Sequence, residues 1–177
     1  MTAQTWYSAV DRVTPHVVRI LTPRGSGTGF LFYRSKTGRI VAIATAAHVI
    51  DQSHLWGEPI RIQHAPSGDP VLLRETDRAL FVDPQKDTAA IVMAVGKLSL
   101  PPEPLALTPP EKYVKVGNDI GWLGYPAIPR ADLCFFSGRI SAWLQDELAY
   151  LVDGVAINGV SGGPAFFFYT EIGRAHV

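Results

Sequence analysis

Apolar residues along the chain come in short bursts separated by turn-forming residues. β-Branched and aromatic side chains cluster at residues 16–22, 29–34, 39–45, 60–64, 79–82 and 89–95. A second set lies at 119–124, 133–144, 148–152 and 165–170. Runs this short and this regularly broken predict an all-β chain, a sandwich or barrel instead of βαβ units. Helical signals are confined to 8–13, ahead of Pro15, and to a turn or so around 46–50. Between the two strand sets stand Pro101-Pro102-Glu103-Pro104 and Pro109-Pro110, whose missing N–H donors keep them out of a sheet ladder. The expected organisation is an N-terminal segment and first β unit over 1–100, a proline-rich linker over 101–112 and a second β unit over 113–170.

Composition narrows the partners more than the fold. With 47% hydrophobic and 18% charged residues in 177, the chain has a core to bury and too little charge for disorder. Sixteen Lys plus Arg balance sixteen Asp plus Glu, so no basic field exists to gather nucleic acid. The single cysteine, Cys134, has no partner for an internal disulfide, and beside Phe135 and Phe136 it reads as a small core residue. No Cys/His cluster has metal-ligand spacing, so neither a metal nor a cofactor is expected. Residues 1–12 show no secretory signal, and the longest apolar run, 40–50, is too short to span a bilayer. Cytoplasmic residence without a membrane partner follows as the expectation. The last seven residues, 171–177, back-translate into the start of a common sequencing-library adapter and are set aside as non-native, which makes His176 irrelevant and the second unit truncated.

Three fragments carry candidate chemistry: Thr45-Ala46-Ala47-His48, Asp87-Thr88-Ala89-Ala90-Ile91-Val92 and Asn158-Gly159-Val160-Ser161-Gly162-Gly163-Pro164. A serine hydroxyl becomes a nucleophile when an imidazole takes its proton, and the imidazole needs a buried carboxylate to fix its tautomer. His48, Asp87 and Ser161 supply the three groups in that chain order. Glycines around Ser161 allow a tight turn in which the N–H groups of Gly159 and Ser161 converge on an oxyanion. Asp83 competes with Asp87 for the orienting role, being only four residues away.

On these residues the sequence resembles the chymotrypsin-like, or trypsin-like, serine peptidases, especially the disulfide-free bacterial members of the HtrA type. Supporting strings are Val13-Thr14-Pro15-His16-Val17-Val18-Arg19-Ile20, Gly25-Ser26-Gly27-Thr28-Gly29-Phe30 and Gly121-Trp122-Leu123-Gly124-Tyr125-Pro126. The resemblance spans roughly residues 8–170 and implies two six-stranded antiparallel β-barrels with a triad in the cleft between them. It implies a serine endopeptidase acting on peptides or proteins through an acyl-enzyme, with His48 as base, Asp87 as orienter and Ser161 as nucleophile. By the same resemblance, Val155 occupies the base of the primary specificity pocket, and Asn158 joins it in substrate binding. An apolar Val155 implies small or aliphatic residues before the scissile bond. Val160 replaces the acidic residue of secreted trypsins, so activation by a newly cut N-terminus is not expected.

Three other readings compete. Gly159-Val160-Ser161-Gly162-Gly163 matches an esterase elbow, but that arrangement needs an acid and then a histidine downstream of the serine. Gly25-Ser26-Gly27-Thr28-Gly29 lacks dinucleotide spacing and runs into Phe30-Leu31-Phe32, a strand. The stronger rival is a noncatalytic module of the same fold that binds a peptide edge without cutting it.

Overall fold

The six early runs become strands, and a seventh joins them. β1 (Val17–Thr22), β2 (Gly25–Arg34), β3 (Ile40–Thr45), β4 (Ile60–Gln63), β5 (Val71–Leu73), β6 (Arg78–Asp83) and β7 (Thr88–Ala94) form one antiparallel sheet in the order β5-β4-β1-β2-β3-β7-β6. The chain is seen here as a computed structural model that describes residues 3–109, 112–168 and 175–176. β5 escapes sequence reading because three residues with one buried side chain carry no detectable period.

Alternation places the core. On β7, Ala89, Ile91 and Met93 point inward while Thr88 and Ala94 are exposed. Their β3 partners, Val41 opposite Met93 and Ile43 opposite Ile91, are fully buried. With Val18, Ile20, Ile60 and Ile62 these side chains fill the curled first sheet. Each contributes ~1.5–3 kcal/mol by leaving water.

The later runs build the second sheet: β8 (Asp119–Gly124), β9 (Cys134–Leu144), β10 (Ala149–Asp153), β11 (Ala165–Phe168) and the two-residue β12 (Ala175–His176), ordered β10-β9-β8-β11-β12. Residues 169 and 170 of the predicted last strand lie outside the described residues, as do 171–174 and 177 of the tail. Ile120, Ile140, Phe167 and Val114 form this sheet's own core. The architecture is the expected chymotrypsin-like pair, a curled seven-stranded half-barrel and a second, incomplete sheet.

Two helices frame the seam between the sheets. α1 (Ala3–Val13) starts earlier than the sequence signal and stops before Pro15, which disfavours helix at its predecessor. It buries Ala9 and Val13 against Val17, Leu123, Tyr125 and Phe166, with the Trp6 ring 5.1 Å from Phe135 and 6.0 Å from Phe166. α2 (Ala47–Leu55) runs five residues past the predicted turn, because Ala47, Ile50 and Ser53 repeat every third position and pack inward. Its polar Asp51, Gln52 and His54 hide that stripe in the sequence. Between the sheets, the proline-rich stretch is pinned at its buried leucines: Leu105 N–H donates to Leu31 at 3.1 Å and the Arg34 guanidinium to the Leu100 carbonyl at 2.9 Å. Cys134 is only half-buried, at a strand end where its thiol reaches the Asp132 carbonyl, and so departs from the expected core position. Among the described residues no helix is long and apolar enough to cross a membrane.

A buried imidazole fastens the first sheet to the segment leading out of α1. His64 is fully buried, with Nε2 2.9 Å from the Pro15 carbonyl and Nδ1 2.8 Å from Ser67 Oγ. A carbonyl only accepts, so Nε2 carries the proton and Nδ1 accepts the Ser67 hydroxyl, which itself accepts Ser99 N–H at 2.7 Å. Burial lowers the His64 pKa; the Pro15 bond opposes that and His16 reinforces it, leaving the net direction down. As pH falls the unfolded chain therefore takes up this proton first, and stability is lost from the ordinary histidine value, about 6.5, downward. Denaturant unfolding of the wild type should show that loss as pH falls from about 6.5. The same stretch of the profile should flatten in His64→Gln; an unchanged slope contradicts the assignment.

Candidate active site

The turn between β6 and β7 decides which aspartate faces His48. Asp83 accepts the N–H groups of Gln85 and Lys86 at 3.1 and 3.2 Å and so closes the turn from within. Asp87 leaves that turn with φ +49° and directs its carboxylate at α2. Its Oδ2 lies 2.7 Å from His48 Nδ1, its Oδ1 accepts His48 N–H at 2.9 Å, and its main-chain oxygen accepts Ala47 N–H at 3.1 Å. Ala46, at the helix N-cap, has no capping side chain, so Asp87 satisfies these free N–H groups from another loop.

Electrostatics follow from that docking. Burial pushes the Asp87 pKa up, but the His48 N–H, the His48 ring and Ala47 N–H outweigh it and hold the carboxyl below its ordinary range. An ionised carboxylate only accepts, so His48 carries its proton on Nδ1 and leaves Nε2 free as a base. Both side chains are about half exposed, 55% for His48 and 53% for Asp87. The buried carboxylate expected from sequence is thus replaced by one oriented through two hydrogen bonds to a single residue.

Ser161 sits in the second of two successive turns. Val160 N–H donates to Ile157 at 3.2 Å and Gly163 N–H to Val160 at 3.0 Å. Gly159 (φ +90°) and Gly162 (φ +83°) fill the third position of each turn, where a type II turn requires a left-handed residue. At Gly162 a Cβ would lie 2.7 Å from the Ala46 nitrogen and would also strike the Thr28 carbonyl and Thr45 Oγ1. Only glycine lets this turn touch the segment two residues ahead of His48. Thr28 N–H donates to the Ser161 carbonyl at 2.9 Å and completes the docking.

The same turns orient their remaining N–H groups. The Asn158 carbonyl accepts Ala127 N–H at 2.6 Å and the Val160 carbonyl accepts Gly163 N–H. In a trans peptide the N–H points opposite the C=O. The N–H groups of Gly159 and Ser161 therefore turn away from those partners, and neither donates to another described residue.

Beside Ser161 opens a cleft of about 280 Å³ walled by Trp122, Val152, Val155, Val160 and the backbone of Gly154. Val155 and Ser161 share it; among the described residues its walls do not include Asn158, which meets the site through its carbonyl on Ala127. Trp122, on β8, has no spacing in the sequence that marks it as a site residue. A Cβ on Gly154 would collide with the Trp122 ring, so the indole lies flush against that wall.

A profile of the trypsin-like peptidase domain matches residues 27–169. The chain belongs to the trypsin-like peptidase family. Among solved structures, its fold is similar to that of Deg5, with a TM-score of 0.71 and 19% identity over 92% of this chain and 78% of that one. An inactive serine-to-alanine form of Rv3671c from M. tuberculosis H37Rv aligns with a TM-score of 0.65 and 21% identity, covering 94% of this chain and 76% of that one. The HtrA-type protease AlgW, solved with a tripeptide, gives 0.66 and 20%, with 90% of this chain aligned to 50% of that one. Among curated protein sequences none matches at a significant level.

Docking through Gly162 has a measurable cost when disturbed. Gly162→Ala should lose about 2–4 kcal/mol of stability, from the left-handed φ plus the backbone collision. Gly117→Ala, at φ +89° with open space around it, should lose only ~1–2 kcal/mol. Equal losses in chemical denaturation contradict a tight contact at Ala46.

Proposed function

We propose that this trypsin-like peptidase domain is a serine endopeptidase working through His48, Asp87 and Ser161. The observation that carries the reading is the pair of bonds from His48 to one carboxylate, 2.7 Å at the ring and 2.9 Å at the backbone. Together they fix both the tautomer and the position of the imidazole. Ser161 Oγ attacks the scissile carbonyl while His48 Nε2 takes its proton, and the N–H groups of Gly159 and Ser161 stabilise the oxyanion. Collapse returns that proton to the departing amine and leaves an acyl group on Ser161. Water, deprotonated by the same nitrogen, then releases it. No cofactor or metal enters these steps.

Substrate choice follows from the cleft beside Ser161. Among the described residues its walls are apolar, with Val155 and Trp122 prominent, and none of them carries an acidic side chain. A cationic residue entering it would leave its charge unpaired. Small and aliphatic side chains suit it better, so Val155 acts in substrate recognition, and Asn158 contributes by shaping the oxyanion turn.

Cleavage of an unstructured protein such as casein, followed by mass spectrometry, tests the reading. Products should end in Ala, Val or Leu; products ending only in Lys or Arg contradict the pocket assignment. Ser161→Ala should lower turnover about 10⁶-fold and Asp87→Asn about 10⁴-fold. Asp83→Asn should stay within a few-fold of wild type, since its carboxylate serves the turn. Turnover in Ser161→Ala equal to wild type, or no cleavage by the wild type, overturns the reading.

A further inference from the structure

Thr28 is fully buried on β2 at the seam between the two sheets. Its polar atoms are all engaged, and two of its bonds belong to the hydroxyl. Oγ1 donates to the Gly159 carbonyl at 2.8 Å and accepts Tyr125 N–H at 2.9 Å. Thr28 N–H holds the Ser161 carbonyl at 2.9 Å, and its carbonyl accepts the Thr45 hydroxyl at 2.7 Å. A valine would satisfy the strand equally well in shape and propensity. The hydroxyl serves only the second sheet, through residues 97 and 131 positions away in the chain.

We propose that Thr28 is a positioning residue for the oxyanion turn, an inference that rests on the serine-peptidase reading above. Gly159 lies between two peptide planes, one held through the Asn158 carbonyl by Ala127 and the other through its own carbonyl by Thr28. With no Cβ and φ +90°, Gly159 has little intrinsic resistance to rotation. Its N–H keeps one direction only because both neighbouring carbonyls are tied. The hydroxyl also links the turn to Tyr125, two residues before the Ala127 that holds Asn158, so segment 125–127 and the turn move as one. Removing it leaves Ser161 docked through the Thr28 backbone but frees the Gly159–Val160 plane, so that the Asn158–Gly159 plane, which aims the Gly159 N–H, stays tied at Ala127 alone.

Inactivation by a fluorophosphonate probe, measured over a range of probe concentrations, separates the maximal rate from probe binding. Losing one oxyanion donor costs about 10²–10³-fold. Thr28→Val should therefore slow maximal inactivation by about 10²-fold while half-saturation stays within about threefold. Thr28→Ser, which restores the hydroxyl, should recover to within about fivefold of wild type. Near-UV circular dichroism and an unfolding midpoint accompany each variant. A merely structural role would lower the midpoint and leave the rate of the folded fraction unchanged. If Thr28→Val does not fold, the serine variant decides: a 10²-fold loss there overturns the proposal. Thr28→Val folded and reacting as wild type overturns it while sparing the peptidase reading, whereas a wild type that never reacts defeats both.

Discussion

One backbone hydrogen bond, from Thr28 N–H to the Ser161 carbonyl at 2.9 Å, ties the turn that carries the candidate nucleophile to the sheet that carries the candidate base. His48 and Asp87 come from the first sheet's side of the seam, Ser161 from the second, and neither sheet holds a complete set of reactive groups. Apolar packing of α1, Val17, Leu123, Tyr125 and Phe166 brings the sheets together but does not set their registration to a fraction of an ångström. Directional bonds at Thr28 and the close approach of Gly162 to Ala46 supply that registration. The proposed chemistry therefore depends on a seam as much as on either core.

The candidate base is positioned by a second economy of groups. A helix beginning at Ala47 without a capping side chain needs an acceptor for its first N–H groups, and a histidine acting as a base needs a carboxylate on Nδ1. Asp87 answers both needs at once. Because ring and backbone of His48 bond the same carboxylate, the backbone bond holds the carboxylate in place for the ring, and displacing Asp87 would cost the helix cap as well as the ring contact. That coupling explains how a half-exposed pair can stay oriented in contact with water, where an isolated ion pair would contribute little.

Much of this was visible in the sequence, and the reasons for the gaps are specific. β7 announces itself because alternate residues are buried over seven positions and β3 because it is a continuous apolar run, whereas β5 is too short to show a period. α2 was read as a single turn because its exposed face is polar and its buried stripe is only three residues wide. The sequence could nominate Asp83 and Asp87 alike; the hydrogen bonds that close the β6–β7 turn separate them, and those depend on backbone geometry. Val155 was placed by resemblance, but Trp122 was not, since a tryptophan whose spacing marks no site looks like packing until a cleft opens beside it. Thr28 was legible only as a strand residue, its hydroxyl's partners lying far along the chain.

The central claim is that the seam presents Ser161 to a base held by Asp87. Treating the intact chain with diisopropyl fluorophosphate and mapping the adduct by mass spectrometry, in wild type and in His48→Ala, tests it most directly. The account predicts a single adduct on Ser161 that vanishes when His48 is removed. An adduct on another residue, or one on Ser161 that forms as fast without His48, would contradict it.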